Sequence, residues 1–336
     1  MAYDYMTLAE LAKGIGSPDI TNVIDEITHA TTMLGDAAFT EATGMLENQG
    51  MRKVSLPTNK WVAIDEGGTA SKGHKELFKD DMGIIESWAT ARQKEGMFAP
   101  NPEARYAEDE RDHVASMGLD VEECLIYGGE EVGQFKGIMP RFNVITSDAK
   151  LAALRTTPQF ITLDNAGDTD EIQSSVLMIV WGAGATQMLY PRYVQNKGIT
   201  ITKGGWQVIE ENNEKFFQRD TQFLMTTGLS VLNRYAAIRI ANVETDAANV
   251  AAAMPALRKN LFKAFTLLPK PFKSRVRIYA PGAVVAALNE YYAGLVQPVT
   301  YEGAVPVNAI GDVRFDRFII RQCDSMLSNE NVVAGE

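Results

Sequence analysis

Residues 101–126, NPEARYAEDERDHVASMGLDVEECLI, restrict the fold more than any other run of the sequence. Asn101 can cap a helix and Pro102 suits its first position. Ala104, Ala107, Val114, Met117, Val121 and Leu125 then mark one stripe, while Glu103, Glu108, Asp109, Glu110, Arg111 and Asp112 crowd the other side. The spacing predicts a single helix about 38 Å long at about 1.5 Å per residue, longer than most globular helices. The stretch IYGGEEVGQFKGIMPRFN, residues 126–143, ends it in four glycines: Gly128, Gly129, Gly133 and Gly137.

Glycines beside a helix can cradle a phosphate, but here the pattern is wrong. A Walker loop needs a Lys followed by Ser or Thr, and it precedes its helix. Gly133 is followed by Gln134 and Phe135, the helix comes first, and Glu130 and Glu131 would repel an anion. VWGAGATQ, residues 180–187, has the strand before Gly182 and Gly184 that a dinucleotide fingerprint needs. Gln187 stands at its third glycine, and QMLYP continues as apolar strand, so a hairpin turn between two buried strands is expected.

Nothing else assembles chemistry. His29, His74 and His113 lack metal-ligand spacing, and no GxSxG elbow is present. The acidic pairs Glu122–Glu123 and Asp80–Asp81 read as solvated faces. Cys124 and Cys323 form no CxxC pair and read as reduced, buried thiols in a reducing cytoplasm. No catalytic residue, metal ligand or cofactor site is expected. The net charge of -11 argues against a protein that grips nucleic acid through its phosphates. MAYDYMTLAE lacks the basic and apolar regions of a signal peptide, and the most apolar stretch, SSVLMIVWGAGA, is too short to span a bilayer.

The remaining chain reads as arm, loop and mixed body. Thr7 with Glu10 forms a capping box, with Gly14 as the expected stop, and Ser17–Pro18 opens a second helix carrying Ile20, Val23, Ile27, Ala30 and Leu34. Residues 50–90 are too polar to bury a core and read as a long hairpin or loop turning at Gly67–Gly68. A buried strand is expected over Ser174–Trp181, and successive strands over 205–243 with a turn near Glu211–Asn213. A helix over Asn249–Phe265 contains Pro255. A strand over Arg275–Tyr279, a helix over Gly282–Tyr292 and a strand region over Val313–Cys323 follow, the last with its alternation slipping at Asp316–Arg317.

Taken in order, these segments resemble the major capsid proteins of tailed bacteriophages, in the branch with compact subunits. The carriers are TLAELAKGI, the loop KVSLPTNKWVAIDEGGTASKG, the helix ending in Tyr127–Gly128, GQFKGIMPRFN, SSVLMIVWG with LYP, YAAIRIANVE and RQCDSMLSNE. Ser55, where the family pattern has glycine, and Phe318–Ile319, where it has Ile–Pro, depart from it. The resemblance implies an α+β fold of the Hong Kong 97 type. It places an N-terminal arm at 1–45, an extended loop at 46–95, and the spine helix with peripheral domain at 96–150. Axial parts fall at 151–204 and 245–311, with peripheral strands at 205–244 and a peripheral strand and tail at 312–336.

It also implies self-assembly into hexamers and pentamers of an icosahedral shell. Such a shell encloses double-stranded DNA without sequence-specific binding, meets portal, scaffolding and decoration proteins, contacts no membrane, and is assembled in the host cytoplasm to become the virion. Leu56, Pro57, Trp61, Gly67, Gly68 and Lys72 are then expected at intersubunit contacts. Lys60, Lys72 and Lys75 read as solvated and not as crosslinking residues. Tyr127, Gly128, Gly129, Phe135, Gly137 and Arg141 are expected to shape a structural hinge, with Phe135, Ile138 and Phe142 pinning it to the core. The rival readings are an encapsulin-like cellular nanocompartment shell and, more remotely, an enzyme using GAGAT for a nucleotide.

Overall fold

The computed structural model describes residues 6–129, 133–152, 159–211, 214–246, 249–295, 314–315 and 318–335. In chain order the elements are α1 (Leu8–Ile15), α2 (Pro18–Ala30), α3 (Met33–Asp36), β1 (Phe39–Glu41), β2 (Glu47–Lys53) and β3 (Lys75–Arg92). There follow α4 (Gln93–Met97), α5 (Pro102–Tyr127), α6 (Asp148–Ala152), β4 (Ile161–Asp164), β5 (Gln173–Val180), β6 (Thr186–Tyr190) and β7 (Ile199–Lys203). The chain continues through β8 (Gln207–Glu211), β9 (Glu214–Val231), β10 (Ala237–Glu244), α7 (Val250–Leu267), β11 (Val276–Ala280), α8 (Gly282–Leu295), β12 (Arg314–Phe315) and β13 (Phe318–Gln322). They group into two compact units, one of residues 1–49, 79–138 and 187–230, the other of 50–78, 139–186 and 231–336.

In the first unit, α5 packs on α2. Its buried stripe is Tyr106, Val114, Met117, Val121 and Leu125, facing Ile20, Val23, Ile24 and Ile27. Ala104, expected in that stripe, is exposed and Tyr106 takes its place, because the larger ring can reach the core from the first turns. Each buried aliphatic side chain contributes about 1.5–3 kcal/mol. Gly118 lets the two helices approach, since a Cβ there would lie 3.3 Å from Ile27. Glu122 is also buried, and its carboxylate accepts the N–H of Met33 at the start of α3. An acidic group satisfying an orphan N–H at a helix start is favourable. The expectation of a solvated Glu122 is therefore corrected, as is that for Asp80, which is buried too.

The caps follow the sequence in part. Thr7 and Glu10 make the reciprocal capping box, and the Asn101 side chain accepts the N–H of Ala104. Ser17 precedes Pro18 without a side-chain cap bond. Helix α1 runs through Gly14 and stops at Gly16, whose φ of 73° is left-handed. Among the described residues a seven-stranded sheet runs β1-β6-β9-β3-β2, with β7 and β8 also paired to β9. Strand β9 is antiparallel to β3 from Gln218↔Arg92 to Gly228↔Met82, so two 18-residue strands form one long ribbon.

The second unit is built on a six-stranded sheet, β12-β13-β11-β5-β10-β4, again among the described residues. All of β5 is buried, as expected for a strand covered on both faces. Its Val176, Met178 and Val180 join Ile238, Ile240, Leu257, Leu261 and Val284 in the main core under α7 and α8. Strand β10 and strand β13 belong to this sheet. The expectation that the strands of 205–244 and 312–336 all belong to the peripheral part is thus corrected: β9 lies in one sheet, β10 and β13 in the other. Alternation marks a strand but not its partners. The slip at Asp316–Arg317 falls outside the described residues; Phe315 pairs antiparallel with Phe318. The turn expected near Glu211–Asn213 lies in part outside the described residues; Glu211 pairs with Glu214.

Candidate intersubunit loop and glycine turn

Strands β2 and β3 lead out to a loop, residues 54–74. Every residue from Leu56 to Leu77 is exposed. Trp61 is 99% exposed and Ile64 is fully so, with Leu56 and Val62 beside them. Several large apolar side chains are thus gathered on one exposed loop, which makes it a candidate contact surface. The loop is ordered by its own bonds. His74 O accepts the N–H groups of Val54 and Ser55 at 2.9 and 3.3 Å, Ser71 Oγ donates to Thr58 O, and Lys60 Nζ meets Glu66 at 2.7 Å. Its tight turn is Ala63–Glu66, closed by Glu66 N to Ala63 O at 3.0 Å, and not Gly67–Gly68. Those two glycines, and Pro57 and Lys72, lie in the exposed run.

The base of the loop is clasped. Arg52 donates through Nη2 to Val231 O at 2.7 Å, and its guanidinium lies 4.6 Å from the Phe78 ring and 5.5 Å from Phe160. Arg234 approaches the same Phe160 ring at 5.7 Å while donating to Glu76 at 2.6 Å. Cation–π contacts of this type contribute about 0.5–2 kcal/mol each. A Cβ on Gly50 would come within 2.6 Å of Phe78, so glycine lets that ring close over the strand. Sequence reasoning missed this clasp, because its members come from β2, β3 and two later segments.

The glycine turn closes α5. Gly128 N–H bonds Cys124 O at 2.9 Å, Gly137 N–H bonds Gly128 O at 2.6 Å, and Ile138 N–H bonds Leu125 O at 2.9 Å. A Cβ on Gly128 would sit 2.5 Å from Cys124 O and 2.8 Å from Phe135 O, and one on Gly137 2.6 Å from Cys124 O. These two glycines serve close backbone approach and have no positive φ. In this turn only Gly133, at 94°, uses the left-handed region among the described residues. Gly129 is exposed and Tyr127 half-buried, while Arg141 ends a single 3-10 turn, Met139–Arg141. Phe135, Ile138 and Phe142 are all buried. Glu130 and Glu131 lie outside the described residues.

The second glycine motif is also a turn. Gly182 and Gly184 have φ of 121° and 72°, and Ala185 N–H bonds Gly182 O at 3.0 Å. Strand β6 follows, not a helix. The expected hairpin is corrected, since β5 and β6 belong to different sheets. A groove of about 390 Å³ in the first unit, rimmed by Asp19, Glu26, Glu110 and Lys203, has neither His nor Cys in its lining. His113 Nδ1 contacts Ser87 Oγ at 3.2 Å on the side of α5, and His74 is exposed. Burial pushes the Cys124 thiol pKa up, partly offset by its bond to Phe135 O. Among the described residues no cluster of His, Cys, Asp or Glu could hold a metal ion, and no helix is long and apolar enough to cross a membrane.

Comparison with known proteins is consistent with this architecture. The family model described as "Major capsid protein GP7" matches residues 16–334. A chain from the cryo-EM structure of bacteriophage epsilon15 superposes with a TM-score of 0.62 at 16% identity, over 90% of this chain and 88% of that one. A structure from Microbacterium phage Oxtober96 gives a TM-score of 0.42 at 10% identity, covering 62% and 90%. The SrpI encapsulin complex from Synechococcus elongatus gives 0.37 at 12%, covering 62% and 85%. No curated protein matches the sequence significantly.

Proposed function

The chain belongs to the family of GP7 major capsid proteins; it is a shell subunit of a tailed bacteriophage, and we propose that it builds that shell by laying its 54–74 loop on a neighbouring copy. Hexamers and pentamers of this one chain close an icosahedral virion around double-stranded DNA, which it encloses without reading sequence. Portal, scaffolding and decoration proteins are the partners of that assembly in the host cytoplasm.

The observation that carries the reading is the loop itself. An exposed tryptophan and isoleucine stand on an ordered loop whose base is clasped by Arg52 and Arg234. Pre-ordering of this kind lowers the cost of docking, because little conformational entropy remains to be lost. Leu56, Pro57, Trp61, Gly67, Gly68 and Lys72 form the proposed contact. The cellular nanocompartment reading shares the fold class, and the family match favours the viral one. A nucleotide enzyme finds no support in a GAGAT turn that leads into a strand.

Replacing residues 56–72 with a flexible Gly-Ser linker, leaving the clasp intact, tests the reading. The expected product is a soluble subunit with an unchanged melting temperature that forms no closed shell in electron micrographs. Normal shells from that variant would overturn it.

A further inference from the structure

The chain as a whole is acidic, yet its charges are segregated. Seven of its 32 basic residues and none of its 43 acidic ones fall between Asp246 and Glu290. On the solvent side of α7, Lys259 and Lys263 are exposed, and Lys270 is exposed just past the helix. Between the two helix lysines stands Phe262, 53% exposed and braced edge-on against Phe315 with ring centroids 4.7 Å apart. Residues 259, 262, 263 and 266 share one helix face by their spacing. The face is therefore a basic strip around a fixed apolar knob, with one carboxylate, Asp148, bound to Lys263.

Helix α5 carries the opposite pattern. From Asp112 to its end it has no lysine or arginine. Asp112, Asp120 and Glu123 are exposed, and Leu119, 42% exposed, sits among them. This is an acidic strip with its own apolar residue.

We propose that the basic strip of α7 in one copy docks on the acidic strip of α5 in the next, with Phe262 against Leu119. This rests on the reading that the chain assembles with itself. A shell grows through head-to-tail contacts, in which each copy must present both halves of one interface on different surfaces. An apolar centre within a charged rim is the anatomy of such contacts, and opposite rims set register and speed encounter. A nucleic acid backbone would also attract the lysines but offers no apolar partner for Phe262.

A charge swap tests the contact. Lys263 already pairs with Asp148 at 2.9 Å, so Lys259 and Lys270 are the residues to change. With wild-type shells as the control, Lys259→Glu with Lys270→Glu should abolish shells while the subunit keeps its circular dichroism spectrum. Adding Asp112→Lys and Asp120→Lys to the same chain should restore them. Assembly lost and not restored by the swap overturns the proposal. So do intact shells from the double reversal, and if those shells retain less DNA the strip is a nucleic acid contact instead. Should the reversals fail to fold, the milder Lys259→Gln with Lys270→Gln should raise the threshold concentration for assembly about tenfold and flatten its salt dependence. An unchanged threshold for that variant also overturns it. Failure of wild-type chain to form shells would instead remove the function reading on which the contact rests.

Discussion

At the end of α5 single atoms decide the structure. Gly137 has Cys124 O where a Cβ would come within 2.6 Å, whereas Gly67 in the loop has open space around it. Gly137→Val is expected to cost about 1–3 kcal/mol, since backbone carbonyls cannot yield as a side chain does. Gly67→Ala is expected to leave stability unchanged. Urea unfolding of the two variants checks the contrast. The sequence revealed that glycines ended the helix but not which of them use the left-handed region and which serve close approach. A left-handed turn is a local property, while the approach of Gly128 and Gly137 to the last carbonyls of α5 depends on where the chain returns. Glu122 was hidden for the same reason: a buried carboxylate cannot be told from a solvated one without the α3 N-terminus that it meets. Cys124 supplies a second test at this scale. Its thiol pKa is raised, chiefly by burial, so less thiolate exists at a given pH. Thiol titration at mildly alkaline pH should find both cysteines slow in the folded subunit and fast in denaturant. Rapid labelling of the native subunit would contradict that burial.

Among elements, the helices were the most legible. Asn101, Pro102 and the apolar stripe located α5, and its observed span is Pro102–Tyr127. The strands were legible as strands but not as sheets. YAAIRIANVE shows a buried β10, yet only the fold shows that its neighbours are β5 and β4. Pairing is non-local, and apolar runs buried on both faces carry no register. The C-terminal tail makes the point most sharply. Glu330 reaches Arg239 at 2.8 Å, both nearly fully buried, and Arg239 also donates to Ser175 and to Phe142 O. No spacing could announce a pair 91 residues apart. Glu330→Ala leaves a buried guanidinium without its carboxylate and is expected to lower subunit stability by about 3–5 kcal/mol. Urea unfolding measures this; a loss under about 1 kcal/mol would mean that water reaches the site. The exposed loop was legible from polarity alone, but its rigid clasp at Arg52, Phe78, Phe160 and Arg234 was not.

Over the whole molecule, the net charge of -11 and the segregated basic strip describe one design. A subunit whose basic strip on α7 is taken up in contacts between copies presents a mostly acidic surface elsewhere. An acidic surface of that kind repels a nucleic acid backbone instead of holding it. In the proposed assembly the apolar loop tip carries the contact between copies and opposite charges set its register. Negative-stain electron microscopy of the purified full-length chain tests that claim most directly. Closed shells of uniform diameter, absent when residues 56–72 are replaced, are the expected result. A wild-type chain that stays monomeric under all assembly conditions, or shells that form equally well without the loop, would contradict it.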